Sequence, residues 1–345
     1  MKHYGIEGVE LSWFESYLSN RKQYTVYQNC KSSLKSVNFG VPQGSILGPL
    51  LFLVFINDLP LSVNNVEFIL YADDTTVFIT GGSIIELEQR ANAALAGINF
   101  WMIANRLTLN SKKTQSVLFH RKQRIVNPLD LSIYLDESCV GVSDSVKFLG
   151  VVLDKNLSWD TQTSNVLRRL SKYVPIMHRI RDFCDVQTLK IVYNSLVYPN
   201  LIYGNSVWGF CTKKVLNPLN ITNKKIIRAM LGLRFRDHTA GVFNDLKILN
   251  LQHINFYMVC LFVYKCLHSN NFSTWFKFSD ISYNTRASND PKLFIPRILN
   301  KHAEQTIKYR GPLIFNQFCS IENLFLEYNS FKRFVKNKLL YIQFV

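Results

Sequence analysis

The sequence predicts an α+β fold: an antiparallel sheet with packed helices, followed by a helical region and a mostly helical carboxy-terminal region. Two observations support this prediction. As far as about residue 158, short β-branched or aromatic segments alternate with amphipathic ones, an order typical of α+β domains. From Asp160 onwards, apolar residues recur at spacings of three and four, which is the period of an α-helix.

Before position 60 we predict an amphipathic helix, a hairpin and a buried helix. The amphipathic helix covers residues 8–19, and the strands of the hairpin cover residues 23–28 and 35–39. The apolar stretch 46–56 predicts a buried helix that stops at Pro60, since proline cannot continue a helix. The side chains of the first helix expected to be partly buried are Val9, Leu11–Trp13 and Tyr17–Leu18.

A second hairpin is predicted at residues 69–78, because β-branched and apolar residues flank a short polar segment there. The next segment has the apolar spacing of an amphipathic helix that packs one face beneath the sheet. Further strands are expected at residues 116–119, 131–134 and 147–153. The apolar stripe of the helix consists of Ile84, Leu87, Ala91, Leu95, Ile98 and Met102.

Basic helices are predicted after Asp160. One has an apolar stripe and is expected to kink or break at Pro175. Another runs from Lys224 to Leu231 and ends at Gly232. The stripe of the first consists of Val166, Leu170, Val174 and Met177, and its other faces carry Arg168, Arg169, Lys172, Arg179 and Arg181.

Two adjacent aspartates, Asp73 and Asp74, lie at the expected tip of the second hairpin, in the string Tyr71-Ala72-Asp73-Asp74. A tight turn would aim both carboxylates at one place. Two neighbouring carboxylates repel each other, and a bound divalent cation relieves that repulsion, with hard oxygen ligands suited to Mg²⁺. The alternative is an ordinary polar β-turn, in which aspartate is common.

A loop rich in glycine and proline precedes the buried helix, in the string Phe39-Gly40-Val41-Pro42-Gln43-Gly44-Ser45. A glycine at a junction between loop and helix lets the backbone approach a ligand closely. Gln43 has the groups to hydrogen-bond a base or a sugar. By itself the segment also fits a core helix with an irregular entry.

Together these two motifs resemble those of the reverse transcriptases of non-LTR retrotransposons, most closely the jockey-like elements. Five further segments resemble the same family and extend the similarity over nearly the whole chain. They are Leu107–Thr114, Val146–Leu153, Asn194–Pro199, Tyr203–Gly209 and Tyr283–Arg286. An intron maturase fits less well, because the Ser45–Pro49 and Asn57–Pro60 segments are of the retrotransposon kind.

The resemblance implies an RNA-directed DNA polymerase that uses an RNA template, a DNA primer and deoxynucleotides with Mg²⁺ (or Mn²⁺). It implies Asp73 and Asp74 as metal ligands and catalytic residues. Lys113 would neutralise or protonate the pyrophosphate, although the adjacent Lys112 leaves that role open. The other implied site residues are Gln43, Gly44 and Tyr71 at the nucleotide and Phe148, Leu149 and Gly150 as the primer grip.

Three regions follow from the same resemblance. We expect partial fingers and palm in residues 1–158, a basic thumb-like region in 159–235, and the helical carboxy-terminal region of the element in 236–345. Aromatic residues are frequent in the last region, where core packing and stacking on single-stranded bases are both open interpretations.

Polymerases of this type use a third metal-binding aspartate before the glutamine–glycine loop. The acidic residues before Asp58 are Glu7, Glu10 and Glu15, and none is in a context that resembles that strand. We therefore expect the carboxy-terminal part of a longer polyprotein that is inactive alone. The alternative is a catalytically dead remnant that still binds nucleic acid.

Charge is distributed unevenly along the chain. Residues 1–150 contain 13 basic and 13 acidic residues, whereas residues 151–345 contain 27 basic and 11 acidic ones. The whole net charge of +16 therefore lies in the second part, which favours binding of a nucleic-acid backbone there. General solubility is the alternative explanation.

Neither a membrane span nor a secretory signal is predicted, and we expect an intracellular protein of the nucleus and cytoplasm. The longest apolar stretch near the loop is shorter than the roughly 20 residues that a membrane helix needs. The seven cysteines form no C-x-x-C pair, which argues against a zinc ribbon and for a reducing compartment. A cluster of Cys260, Cys266, His268 and His253 fits a helical core better than a metal site.

Overall fold

The structure is a computed structural model that describes residues 1–121, 131–269, 274–279, 292–298 and 303–341. The chain divides into two compact units. Unit 1 comprises residues 1–116 and 127–142, and unit 2 comprises residues 117–126 and 143–345. Helices and antiparallel strands occur together, which confirms the α+β class.

In its described residues, unit 1 combines three α-helices with four short antiparallel strand pairs. The pairs are β1 with β4, β2 with β3, β5 with β6 and β7 with β8. Short 3₁₀ helices lie at Lys2–Tyr4 and Leu59–Ser62. In chain order the elements are α1 (Gly8–Leu18), β1 (Lys22–Gln23), β2 (Val26–Tyr27), β3 (Cys30–Lys31), β4 (Lys35–Ser36), α2 (Leu47–Ile56), β5 (Glu67–Tyr71), β6 (Asp74–Phe78), α3 (Ile84–Ala104), β7 (Ile133–Leu135) and β8 (Ser138–Val140).

The long helix α3 is the scaffold of unit 1. Its start is capped by Ser83, whose side chain accepts a hydrogen bond from the Glu86 backbone N–H. Its predicted apolar stripe is confirmed, with Ala91, Ile98 and Met102 buried. One end of the stripe packs against the β7–β8 pair, and the other packs against α2 and the β5–β6 hairpin.

Two burial predictions for unit 1 are wrong in part. On α1, Leu11, Tyr17 and Leu18 are partly buried as predicted, but Val9 is 82% exposed and Trp13 is 53% exposed, because the described elements of unit 1 do not cover this side of the helix. On α2, the inward positions Leu51 and Ile56 are buried, but Leu50 is 54% exposed. The apolar run 46–56 predicts a fully buried helix, whereas the described neighbours of α2 in unit 1 lie on one side of it only. The segment 116–119 is not a strand and forms a single bridge, from Ser116 to Val142.

The described part of unit 2 contains one hairpin, an isolated antiparallel bridge between Phe278 and Leu293, and helices. A π-helical turn at Tyr193–Val197 links two helices, and 3₁₀ helices lie at Ala303–Gln305 and Ile321–Phe325. The elements are β9 (Ser145–Phe148), β10 (Val151–Asp154), α4 (Asp160–Ser171), α5 (Tyr173–Ile180), α6 (Val186–Val192), α7 (Tyr198–Ile202), α8 (Asn205–Trp208), α9 (Lys213–Leu231), α10 (Ala240–Asp245), α11 (Leu251–Leu267), α12 (Ile307–Phe318) and α13 (Tyr328–Tyr341).

The predicted helix break and helix end in unit 2 are both confirmed. Helices α4 and α5 meet at Lys172, three residues before Pro175. Helix α9 ends at Gly232, whose φ of 68° is the left-handed conformation that glycine adopts readily. It begins at Lys213, earlier than the sequence predicted, because Pro218 is accommodated inside it.

Helix α11 lies in the centre of the unit 2 core and packs against α12 and α13. Among the aromatics of residues 236–345, Phe243, Tyr257, Tyr264 and Phe276 are buried, which supports core packing. In the described ranges no group of three or more His, Cys, Asp and Glu residues is arranged to hold a metal ion. The Tyr283–Arg286 segment lies outside the described residues.

None of the helices in the described part of the chain combines the length and the apolar character needed to cross a lipid bilayer.

Candidate catalytic site and nucleic-acid interface

The Asp73–Asp74 pair lies at the tip of the β5–β6 hairpin, as predicted. Strands β5 and β6 pair antiparallel from Glu67 opposite Phe78 to Tyr71 opposite Asp74. Ala72 has a φ of 51°, which is uncommon for a residue with a side chain. Both aspartates are exposed, and among the described residues neither carboxylate has an ion-pair or hydrogen-bond partner. The pair is therefore open to a ligand.

One face of the hairpin is anchored in the core of unit 1. Phe68, Leu70 and Val77 pack against a buried cluster that includes Leu59 and Ile98. The opposite face is open, with Tyr71 63% exposed. This alternation is the expected pattern of a hairpin that covers a core on one side only.

Arg90 of α3 fixes both ends of the hairpin to the helix. Its guanidinium donates hydrogen bonds to the carbonyl oxygen of Asn65, at 2.9 Å, and to that of Thr80. Asn65 precedes β5 and Thr80 follows β6. A single side chain thus links the two strand ends, and Glu86 lies 3.5 Å from the same guanidinium.

The loop before α2 presents Gln43 on a tight turn. The backbone N–H of Ser45 bonds the Pro42 carbonyl at 3.3 Å, so Gln43 and Gly44 are the central residues of the turn. Gly44 has a φ of 78°, where glycine is favoured. The Ser45 hydroxyl accepts the Gly48 N–H at 2.9 Å and so holds the turn on the start of α2. Gln43 and Gly44 are both exposed.

Arg21 supports the same loop from the other side. Its guanidinium donates to the carbonyl oxygens of Leu18, at 3.0 Å, Phe39, at 3.1 Å, and Gly40, at 2.5 Å. The loop is therefore tied both to α2 and to the end of α1.

Lys112 and Lys113 lie in a turn that follows α3 and are both exposed. Asn110 closes this turn, because its carbonyl oxygen accepts the backbone N–H groups of Lys113 and Thr114, each at 3.0 Å. No ion pair of the described residues joins either lysine to Asp73 or Asp74. The choice between the two lysines stays a prediction.

The donor set at the hairpin tip fits part of a divalent-metal site. Two exposed carboxylates without other partners offer the hard oxygen ligands that Mg²⁺ prefers. A third carboxylate is not grouped with them in the described chain. Glu10 and Glu15 are instead exposed on α1.

The predicted primer-grip residues form the turn of the β9–β10 hairpin in unit 2. Phe148 ends β9 and pairs with Val151, and Leu149 and Gly150 have φ angles of 43° and 85°. Positive φ at both central residues is the pattern of a tight two-residue hairpin turn. Leucine rarely adopts positive φ, so contacts from other residues must stabilise Leu149 in this conformation.

Tyr203 is the residue that holds this turn. Its hydroxyl donates a hydrogen bond to the Leu149 carbonyl oxygen. A Cβ added at Gly150 would lie 3.1 Å from the Tyr203 ring. Trp208 in turn donates its indole N–H to the Tyr203 carbonyl oxygen at 2.8 Å, which ties Tyr203 to the buried core of unit 2.

Basic side chains are exposed along the helices of unit 2. Arg168, Arg169 and Lys172 occupy the last turn of α4 and its end, while Val166 and Leu170 of the same helix are buried. The cationic groups therefore project from a helix that is fixed by its apolar side.

Sequence reasoning missed Arg90, Arg21 and Tyr203. Each donates to at least one backbone carbonyl oxygen that is ten or more positions away in the chain, and no local pattern marks such a contact. The string Tyr203–Gly209 was noticed only through the family resemblance.

The first part of the chain matches a known family model. Residues 1–153 match the family described as reverse transcriptase (RNA-dependent DNA polymerase). This part of the chain is therefore similar to reverse transcriptases.

Curated proteins similar to this chain include polymerases of mobile elements. The RNA-directed DNA polymerase from mobile element jockey of Drosophila melanogaster is 28% identical over 257 residues, covering 68% of this chain and 26% of the relative. The jockey polymerase of Drosophila funebris is 25% identical over 244 residues, with the same two coverages. The probable RNA-directed DNA polymerase from transposon X-element of Drosophila melanogaster is 26% identical over 243 residues, again covering 68% of this chain and 26% of the relative.

The chain is thus similar, over about two thirds of its length, to RNA-directed DNA polymerases of mobile elements. It spans about a quarter of the length of the curated relatives that it matches.

Proposed function

We propose that this chain supplies the carboxylate hairpin, the nucleotide-binding loop and the primer grip of an RNA-directed DNA polymerase that copies an RNA template onto a DNA primer. The observation that carries the proposal is the exposed Asp73–Asp74 pair on a hairpin anchored in the unit 1 core. This polymerase is proposed to act inside the cell, in the nucleus and cytoplasm, as part of a longer enzyme.

In unit 1, Asp73 and Asp74 are proposed to hold Mg²⁺ or Mn²⁺, which when bound stabilises the negative charge of the transferred phosphate. Tyr71, exposed opposite Asp74, packs against the primer end. Gln43 and Gly44 present a side chain and close-approaching backbone to the deoxynucleotide. Lys113 contributes a positive charge near the leaving pyrophosphate.

In unit 2, the proposed role is to hold the template–primer duplex. The Phe148-Leu149-Gly150 turn positions the primer, and the exposed basic groups of α4 bind phosphates. Phosphate contacts position a nucleic acid without reading its sequence. The proposed palm, thumb and carboxy-terminal regions keep the boundaries 1–158, 159–235 and 236–345.

The test of the carboxylate pair uses a fusion in which the part of the Drosophila melanogaster jockey polymerase that precedes the matched region is joined to residues 1–345. We expect Mg²⁺-dependent primer extension on RNA by the fusion. Asp73→Asn should lower its turnover by about a thousandfold or more, because a metal ligand supplies several kcal/mol of charge stabilisation. Residues 1–345 without the fusion should not extend the primer, since no third carboxylate accompanies the pair in the described chain.

Glu137→Gln is the matched control for Asp73→Asn. Glu137 is an exposed carboxylate in the β7–β8 turn of the same unit, and its loss should leave turnover unchanged. Turnover of Asp73→Asn within tenfold of the parent fusion would exclude the pair as the catalytic centre. Extension by residues 1–345 alone would refute the need for a third carboxylate.

The grip is tested by replacing Arg168, Arg169 and Lys172 with glutamine in the full chain and titrating an RNA–DNA duplex. We expect affinity to fall by about tenfold or more, together with a shallower dependence on salt, because each lost phosphate contact lowers the salt slope by about 0.9. The control replaces three exposed lysines of unit 1, Lys22, Lys31 and Lys35. Equal losses in the two triple variants would contradict the assignment of the grip to unit 2.

A further inference from the structure

The loop after α9 presents a phenylalanine at the tip of a hydrogen-bonded turn. The backbone N–H of Asp237 bonds the Arg234 carbonyl oxygen at 3.1 Å, and the Asp237 carboxylate accepts the Arg234 backbone N–H at 2.7 Å. The turn is therefore closed from both directions. Its two central residues are Phe235 and Arg236.

Arg228 of α9 clamps this turn to the helix. Its guanidinium donates two hydrogen bonds to the Asp237 carbonyl oxygen, at 3.1 and 3.0 Å. Gly232 starts the loop in the left-handed conformation and lets it leave the helix sharply. The shape of the turn is thus set before any ligand arrives, which lowers the entropy cost of binding.

Phe235 is 77% exposed in spite of this rigid support. Four hydrogen bonds hold the turn that carries this ring, and the ring nevertheless does not pack onto the core. Arg234 and Arg236 flank it and are exposed as well. The tip therefore combines one aromatic face with two cationic groups.

The two phenylalanines that are more exposed than Phe235 in the described chain lack arginines on both sides. Phe325, 86% exposed, lies between leucines and close to Glu322 and Glu327. Phe183, 89% exposed, follows Asp182 and precedes Asp185 by two residues. The pairing of an exposed ring with arginines on both sides distinguishes Phe235.

We propose that the Arg234–Asp237 turn binds single-stranded nucleic acid, with a base stacked on Phe235 and the neighbouring phosphates bound by Arg234 and Arg236. Aromatic rings accept any base in this way, and arginines beside them neutralise the backbone. The inference rests on the proposed role of unit 2 in binding the template–primer duplex. It adds single-stranded nucleic acid as a second ligand of the same unit. RNA and DNA strands should both bind, since a stacked base does not report on the sugar.

The experiment measures binding of the full chain to four fluorescently labelled probes. These are single-stranded RNA, single-stranded DNA of the same sequence, an abasic DNA strand of equal length, and a blunt RNA–DNA duplex. Phe235→Ala should weaken binding of both base-bearing strands by about 5- to 150-fold, which is the range for loss of one stacked base. Binding of the abasic strand and of the blunt duplex should stay within twofold.

Two more variants at the same position separate stacking from folding. Phe235→Trp should retain full single-strand affinity, whereas Phe235→Leu, which keeps an apolar side chain, should lose as much as Phe235→Ala. Unchanged melting temperatures would show that all three variants are folded. The control Phe325→Ala should leave binding of every probe unchanged.

Three results would overturn the stacking site: equal loss on the abasic strand, no loss on the base-bearing strands, or equal loss in Phe325→Ala. Selective loss for RNA alone would also contradict it, because it would point to recognition of the ribose. A different result would contradict the proposed duplex-binding role of unit 2, namely that the unaltered chain does not bind the duplex.

Discussion

Arg90 shows how a residue outside the candidate site controls its geometry. The carbonyl oxygens of Asn65 and Thr80 lie at the two open ends of the β5–β6 hairpin, and both accept hydrogen bonds from this one guanidinium. The far end of the hairpin carries Asp73 and Asp74. Because the strands are paired over five positions up to the tip, we expect a change at their base to alter the direction of the tip.

Arg90→Ala should therefore destabilise unit 1 by about 1–3 kcal/mol, which is the range for losing hydrogen bonds made by a charged group. Denaturant titration of the full chain, followed by a probe in unit 1, measures this. In the active fusion, turnover should fall while duplex affinity stays unchanged, since the phosphate grip is proposed for unit 2.

Arg106→Ala is the comparison for Arg90→Ala. Arg106 carries the same charge in the same unit but lies over the Phe39 ring, 5.2 Å from its centroid, without backbone partners among the described hydrogen bonds. A loss as large as that of Arg90→Ala would show that charge, and not the two carbonyl contacts, explains the effect.

At the scale of single residues, the sequence predicted those features that depend only on residues close together in the chain. The Asp73–Asp74 tip was predictable because β-branched flanks and a short polar segment define a hairpin within ten residues. Arg90 and Tyr203 were not, since their partners lie 10 to 54 positions away and are main-chain atoms that any residue supplies.

Among the elements, the β9–β10 hairpin carries a turn that is disfavoured by its own sequence. Leu149 adopts a φ of 43° and is kept there by the Tyr203 hydroxyl. Backbone strain of this kind persists only where surrounding contacts enforce it, and it is common at functional sites.

Leu149→Asn should stabilise unit 2 by about 0.5–1 kcal/mol, because asparagine tolerates positive φ far better than leucine. If Leu149 contacts the primer as proposed, the same variant should bind a primer–template more weakly. A rise in melting temperature together with a loss of primer affinity is the expected pair of results, and unchanged affinity would remove Leu149 from the primer grip.

Gly150→Ala should act in the opposite direction on stability. Its φ of 85° and the Tyr203 ring 3.1 Å from the added Cβ both oppose a side chain. Gly241→Ala is the control, because an added Cβ there meets nothing within 4 Å.

The sequence misjudged α2 for a physical reason. Its residues are apolar on every side, which normally indicates a helix covered on every side. Only Gly48, Leu51 and Ile56 are buried, because the described neighbours of α2 in unit 1 occupy one face. Periodicity reports where a helix can be buried, and the number of neighbours decides how much of it is.

At the scale of the whole molecule, charge and burial are both distributed unevenly along the chain. Unit 2 holds the larger core and the excess of basic residues, and the sequence predicted only the second of these. The α+β class was also predictable, since alternation of strand and helix patterns precedes Asp160. The extent of the units was not, because contacts between distant segments decide it.

His253 makes the stability of unit 2 sensitive to mild acid. Burial on α11 lowers its pKa from the ordinary value of 6.5, because a charged imidazole loses its hydration there. Its contribution is fully present above pH 6.5 and is lost as the pH falls towards the lower folded-state pKa. Urea unfolding should therefore show that the free energy of unfolding declines as the pH falls below 6.5.

His253→Gln should flatten this decline, even if the variant is less stable at every pH. His178→Gln, which replaces an exposed histidine of α5, should leave it intact. An identical slope in His253→Gln and the unaltered chain would assign the acid sensitivity to other groups.

The outer edges of the strand pairs differ in a way that matters for handling the protein. Asn92 covers the outer edge of β7 by bonding the Ser132 carbonyl oxygen and the Tyr134 N–H, at 2.9 and 2.8 Å. No such side chain serves the outer edges of β5 and β6 among the described hydrogen bonds. An open strand edge accepts a strand from another molecule. We therefore expect self-association at high concentration, and affinities that differ between two protein concentrations would reveal it.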